Sequence, residues 1–159
     1  MSHRKKAALI FGVLSLGWIA VLFYFSGQDG VDSSELSLRV ARRLVQWFPW
    51  IGMSAETFNP ILRKLAHVGI FAIEGFLMGL CLMNAMRARR GAGLTLLLCA
   101  IMAAANEYHQ TFSMGRTCQV RDVLIDSGGA LLGIAAAAIL LALVRLTGRH
   151  RLASTRTNE

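Results

Sequence analysis

The sequence predicts an all-α integral membrane bundle of four transmembrane helices, N-in and C-in, with an external amphipathic helix after the first span. Three observations lead there. Long uncharged apolar runs lie in a chain that is 55% hydrophobic with a mean hydropathy of +0.51, which suits a bilayer and not a soluble core. The formal charge is +8, from 17 Lys+Arg against 9 Asp+Glu, and the cations cluster beside the apolar runs. That placement reads as topology and attraction to anionic headgroups, and argues against nucleic acid as a partner. Finally, ionisable residues gather in one stretch, 106–133, flanked by apolar sequence. Such groups at membrane depth are costly and mark function by default.

At 159 residues the chain reads as a single membrane domain, with 145–159 a basic cytoplasmic tail whose end is expected to lack fixed structure. Residues 7–25 carry no charge and follow His3-Arg4-Lys5-Lys6. About 19 residues at about 1.5 Å each just cross a hydrocarbon core of roughly 30 Å. A basic segment before an apolar run also fits a cleaved signal peptide. Here no small-x-small cleavage site follows, and Phe23-Tyr24-Phe25 suits an interfacial aromatic belt, so the span is read as retained.

From 26 to 60 the chain leaves the membrane. Ser26-Gly27-Gln28-Asp29-Gly30 is turn-like, and Asp32 or Ser33 is placed to cap a helix. Over 35–48, Leu36, Val40, Leu44 and Trp47 recur at helical spacing, with Arg39, Arg42, Arg43 and Gln46 off that stripe. Two readings fit: an amphipathic helix lying among headgroups, or a surface helix packed on the bundle. Pro49 and Gly52 end it, and Pro60 precedes the next span.

The second span is 65–86, interrupted by His67 and Glu74; the third, 91–105, is short; the fourth is 123–144. About 15 residues in the third cover only about 22 Å. Either the bilayer thins there, or the helix continues through Asn106, Glu107 and Gln110 at membrane depth, tolerable only if they face protein or water. With the N-terminus inside, cytoplasmic segments hold ten cations: Arg4, Lys5, Lys6, Arg87, Arg89, Arg90, Arg145, Arg149, Arg151 and Arg156. External segments hold seven: Arg39, Arg42, Arg43, Arg63, Lys64, Arg116 and Arg121. The short loop Arg87-Ala88-Arg89-Arg90 weighs most in the positive-inside rule. Three widely spaced cysteines form no metal or disulfide framework, and no internal repeat is present.

This topology brings several polar residues to one side. Lys64, His67, Phe71 and Glu74 follow i, i+3, i+7, i+10, and Asp122, Asp126, Gly129 and Gly133 follow i, i+4, i+7, i+11, so each set shares a helix face. Gly75-xxx-Gly79 and Gly129-xxx-Gly133 permit close helix contact, which turns the charges beside them into the bundle. The carboxylates Glu74, Glu107, Asp122 and Asp126 meet His67, His109, Lys64, Arg116 and Arg121 in this inventory. An ion-paired network that merely holds the helices in register is one reading, and for Glu74 it stands level with a functional one.

Arg63-Lys64-Leu65-Ala66-His67, Asn106-Glu107-Tyr108-His109-Gln110-Thr111-Phe112, Gly115-Arg116 and Arg121-Asp122-Val123-Leu124-Ile125-Asp126, with Gly129 and Gly133, resemble the VanZ-like family. Phe25-Ser26-Gly27-Gln28 is similar to that family's short serine-glutamine element, and the resemblance runs from about 9 to 144. It implies a small bacterial integral membrane protein, placed in the cytoplasmic (inner) membrane. The family's namesake is associated with lowered susceptibility to the glycopeptide teicoplanin. Two positions depart from the pattern: Asn106 stands where an acidic residue is common, and Asp126 where asparagine is common.

Three functions suit these residue types. The first is an enzyme acting on a lipid headgroup or lipid-linked envelope precursor at the external face. His67 or Glu107 would be the general base, and Asp122 would orient His67 or Arg116. Lys64 and Arg116 would hold a phosphate, with Gln110, Asp126 and Glu74 completing the binding surface. The second is binding of a headgroup or glycopeptide without chemistry. The third is a small oligomeric transporter, which no repeat supports. His67, His109, Glu107 and Asp122 are also possible N/O metal ligands, but without H-x-x-x-H or H-E-x-x-H spacing no metal is assigned and no cofactor is named. A G-x-S-x-G nucleophile element is absent.

Overall fold

Each apolar run becomes a helix in a computed structural model of the chain. The structure describes residues 1–27, 30–112 and 118–156, with side chains at all of these except 30–33 and 148–156. The elements in order are α1 (His3–Ser26), α2 (Gly30–Trp47), a 3-10 turn (Pro49–Ile51), α3 (Ala55–Ala85), α4 (Ala88–Gln110) and α5 (Val120–Arg156). The described residues contain no strand. Four helices, α1, α3, α4 and α5 over Val120–Thr147, are long and apolar enough to cross a membrane.

α1 runs antiparallel to α3. Arg4 donates to the Met83 carbonyl at 3.1 Å, Ser15 Oγ to Glu74 Oε1 at 2.6 Å, and Trp18 Nε1 to the Ile70 carbonyl at 2.9 Å. A tight turn at Met86 and Arg87 reverses the chain, and Gly91 lies against the Leu82–Met83 backbone. α5 then runs parallel to α3: Gly129 meets Val68, Gly75 meets Ala130, and Gly133 meets Ala72 and Phe76. A Cβ at Gly133 would collide with the Ala72 carbonyl oxygen, and one at Gly129 would lie 2.5 Å from that of Val68. The core is correspondingly small-grained, with Cys99, Ala103, Ala130 and Ala137 fully buried around Phe71, Leu80 and Met83. In a bilayer such backbone-close packing supplies the dispersion contacts that hold helices together.

Several helix ends differ from the sequence reading. α3 starts at Ala55, not at 65, because Ser54 caps it by accepting from the Thr57 amide at 3.2 Å, and Pro60 is taken up within its second turn. The proline therefore does not mark the boundary, although it lies past the first turn and removes the bond a helical amide would make to the Glu56 carbonyl. α2 already begins at Gly30, ahead of Asp32 and Ser33, so neither caps it. α4 runs 23 residues to Gln110, about 34 Å, so the helix of the short third span continues through Asn106, Glu107 and Gln110, all of them buried. α5 continues helically to Arg156 through most of the stretch expected to lack structure; 157–159 lie outside the described residues.

α2 packs on the bundle, as one of the two readings given to it has it. Ala41 is fully buried, and Asn59 of α3 donates to the Ser34 carbonyl and hydroxyl at 3.4 and 3.3 Å, fastening α2 to the bundle. Trp47, Phe48 and Trp50 stay exposed at its end.

Candidate functional site

Because α3 and α5 run parallel and α4 returns between them, His67, the C-terminal turn of α4 and the first turns of α5 share one end of the bundle. Gly129 fixes the axial register of α5 on α3. With its Cα against Val68, the preceding turn of α5 carries Asp126 opposite His67. The His67 Nδ1 to Asp126 Oδ1 distance is 3.5 Å, with the aspartate side chain 1% exposed and the imidazole 32%. That is ion-pair range and longer than a good hydrogen bond. From α4, Glu107 is buried and its Oε2 accepts from the Gln119 backbone amide at 3.0 Å, tying the end of α4 to the start of α5.

These groups line a polar cavity of about 190 Å³ with Pro60, Arg63, Lys64, Gln110, Asp122 and Ile125. The helices deliver three carboxylates, two fixed cations and one imidazole to it. Several buried atoms at its wall have no hydrogen-bond partner in the protein: Gln110 Nε2, Asp122 Oδ1 and both oxygens of Asp126. Buried polar atoms are usually satisfied, so such a cluster calls for an explanation in terms of strain, chemistry or a bound group. Neither Arg63 nor Lys64 forms an ion pair with these carboxylates among the described residues. Among the described residues the ion pairs are His67–Asp126 and an exposed Arg42–Glu56 contact at 3.6 Å on α2 and α3. Of the network of paired charges weighed from the sequence, the described residues hold the His67–Asp126 pair; Arg116, one of its members, lies outside them.

A second cavity, of about 290 Å³, adjoins the first. Its wall is mainly apolar, with Leu22 and Phe25 of α1, Leu36 and Val40 of α2, and Leu62, Ala66, Ile70 and Phe71 of α3. Arg63, His67 and Gln110 line both cavities. One side of this wall is charged and the other is hydrocarbon.

The residues singled out in the sequence are distributed unevenly. His67, Glu107, Gln110, Asp122, Asp126 and Lys64 all reach the polar cavity, Lys64 at its exposed rim. The carboxylate beside His67 is Asp126 rather than Asp122. Glu74 does not reach the cavity: it lies two turns deeper, wholly buried, with Ser15 as its partner. His109 faces α1 instead, its ring 5.8 Å from that of Phe23 and edge-on to it. No three His, Cys, Asp or Glu side chains among the described residues are grouped to hold a metal ion. Arg116, assigned to phosphate, and Gln28 lie outside the described residues. Arg63 was read only as an external charge, yet it stands one helical turn (i, i+4) before His67, a signal present in the spacing.

A model of the VanZ/LLP1 family matches residues 11–142. Neither a curated protein nor a solved structure matches the chain. With that match spanning all the elements that build the polar cavity, the chain belongs to the VanZ/LLP1 family, and it is a multi-pass membrane protein.

Proposed function

We propose that the chain takes up an amphiphile of the external leaflet, a phospholipid or a lipid-linked envelope precursor, and acts on its headgroup. The observation that carries this reading is the shared wall. A ligand with its polar end among Lys64, Arg63, Gln110 and the carboxylates would find hydrocarbon surface for its chain directly across Arg63, His67 and Gln110. In this reading Arg63 and Lys64 receive the phosphate, arginine through its planar fork. His67, oriented by Asp126, is the general base, and Glu107 holds or exchanges a second proton. The described cavity wall contains no Ser, Thr or Cys. In this reading the base activates water or a hydroxyl of the substrate, giving hydrolysis or transfer.

The orientation follows from charge: N-in and C-in in the bacterial inner membrane puts the cavity on the external face and the denser cations inside. Labelling of Lys64→Cys, in a background lacking the native cysteines, is expected from outside the cell; labelling only from the cytoplasm overturns it. The chemistry is tested by lipidomics of cells with and without the chain, together with Glu107→Gln. Loss of the chain should alter one lipid class, and Glu107→Gln should reproduce that change with an unaltered melting temperature. Activity surviving in Glu107→Gln, but falling with Arg63→Ala in step with lipid affinity, would replace catalysis by binding alone. A glycopeptide occupant would instead appear as direct, saturable binding of teicoplanin without any lipid change.

A further inference from the structure

The opposite end of the bundle carries a second feature. Arg4 and Lys5 of α1, Arg87 at the start of α4 and Arg145 of α5 line one cleft of about 480 Å³, and among the described residues no acidic side chain lines it. Arg4 is held in place by its bond to the Met83 carbonyl at 3.1 Å, which leaves most of its five donors free. Arg87 is the N-cap of α4 but makes no capping hydrogen bond, so amides of the first turn, beginning at Ala88 in the cleft wall, add to the positive field. Below the cleft a second groove of about 610 Å³, almost wholly apolar, descends between α1 and α4. It exists because α1 packs on α3 and barely touches α4, leaving Met78, Cys81 and Leu82 of α3 as its floor. Lys5 lines both the cleft and the groove.

We propose that this end is a binding site for an anionic phospholipid of the cytoplasmic leaflet, its phosphate in the Arg4–Lys5–Arg87–Arg145 cleft and one acyl chain in the α1–α4 groove. The positive-inside rule alone accounts for cations at this end. It does not account for their convergence from three helices on one cleft, or for the apolar groove that opens beneath it. Charge complementarity selects the ligand: four cations without a carboxylate favour a net-negative headgroup over a zwitterionic one. The groove supplies the difference between a lipid and a free phosphate. The site is separate from the polar cavity and stands whether or not that cavity is catalytic.

Native mass spectrometry of the purified full chain, titrated with phosphatidylglycerol, phosphatidylcholine or glycerol phosphate, tests it. Phosphatidylglycerol should bind preferentially, and Arg87→Gln with Arg145→Gln should weaken it about 30-fold, at about fivefold per cation. Arg121→Gln, at the other end, should change nothing. Ala8→Trp, which fills the groove, should weaken the lipid and leave glycerol phosphate unaffected. Phosphatidylcholine binding that the double variant weakens as much as phosphatidylglycerol binding overturns the proposal. So does lipid binding that ignores Ala8→Trp while glycerol phosphate binds as tightly, since that is an anion site only. If the double variant does not fold, wild type decides: binding must fall at least tenfold as salt rises from about 0.05 to about 0.5 M, and a flat response is disproof.

Discussion

The α3–α5 pair is two interfaces in one. From Gly129 onward the helices meet backbone to backbone, with Gly75 and Gly133 seated against Ala130 and Ala72. One turn toward the other end, the same pair parts around His67, Asp122 and Asp126, where one oxygen of Asp122 and both of Asp126 are buried without a hydrogen bond. The first region is tightly packed and electrically quiet; the second is loosely satisfied and charged. The difference explains how the second can exist. A carboxylate without hydrogen bonds would ordinarily rotate or move toward water. Asp126 cannot, because the glycine contact one turn below fixes both the rotation and the axial position of α5. Packing in one region bears the cost of charge in the other, as expected where a site is held by a rigid scaffold.

The largest effect should therefore come from the quiet region. Gly133→Ala drives a methyl group into the Ala72 carbonyl and against the Phe76 amide, 2.7 Å away, and neither is a flexible side chain that can yield. We expect a loss of about 3 kcal/mol or more, seen as a collapsed melting temperature in detergent. Activity should be lost with it. A Gly133→Ala protein with wild-type stability would mean the helices are not in contact, and the argument for Asp126 would go with it.

The charged region should respond in the opposite manner. Asp126→Asn keeps the volume and removes a buried charge that is paired only with a half-buried imidazole. Stability should stay within about 1 kcal/mol of wild type, whereas the lipid turnover proposed above should fall by about 100-fold or more, the usual worth of a positioned acid–base group. If Asp126→Asn unfolds the protein instead, the two regions do not differ in kind.

How much of this could be read beforehand depends on how local each signal is. Hydropathy set the four spans, and the spacing of Lys64, His67 and Phe71, and of Asp122, Asp126 and Gly129, put each set on one face. Both are properties of a single helix. Which aspartate meets His67 is not: Asp122 and Asp126 share a face, and only the seating of Gly129 on Val68 chooses between them. Glu74 shows the same limit. It sits on the face of His67 by spacing, but its partner Ser15 comes from α1, a helix whose rotation no pattern in α3 specifies. The start of α3 was misplaced for a local reason, since Pro60 resembles a boundary when the Ser54 cap ahead of it is overlooked.

Glu74 also sharpens the comparison at intermediate magnitude. It is as buried as Asp126, yet one oxygen is hydrogen-bonded, and it lies outside the cavity wall. Ser15→Ala removes that bond from a buried carboxyl group and should destabilise by about 1–3 kcal/mol, measured by thermal unfolding, with lipid turnover by the folded protein unchanged. A turnover loss at preserved stability would move Glu74 into the working site.

The smallest predicted effect is the most discriminating, because it separates neighbours. Gly128 and Gly129 are adjacent on α5, but a Cβ at Gly128 would meet nothing within 4 Å, while one at Gly129 would lie 3.0 Å from Val68 Cα and closer to its carbonyl oxygen. Helix propensity alone favours alanine over glycine by up to about 1 kcal/mol. Gly128→Ala should therefore be neutral or stabilising by that amount, whereas Gly129→Ala should lose stability and, by displacing Asp126 from His67, turnover as well. Equal behaviour of the two variants would show that hydrophobic run and glycine content, rather than the seating of one glycine on Val68, hold the helices, and the register that brings Asp126 to His67 would need another cause.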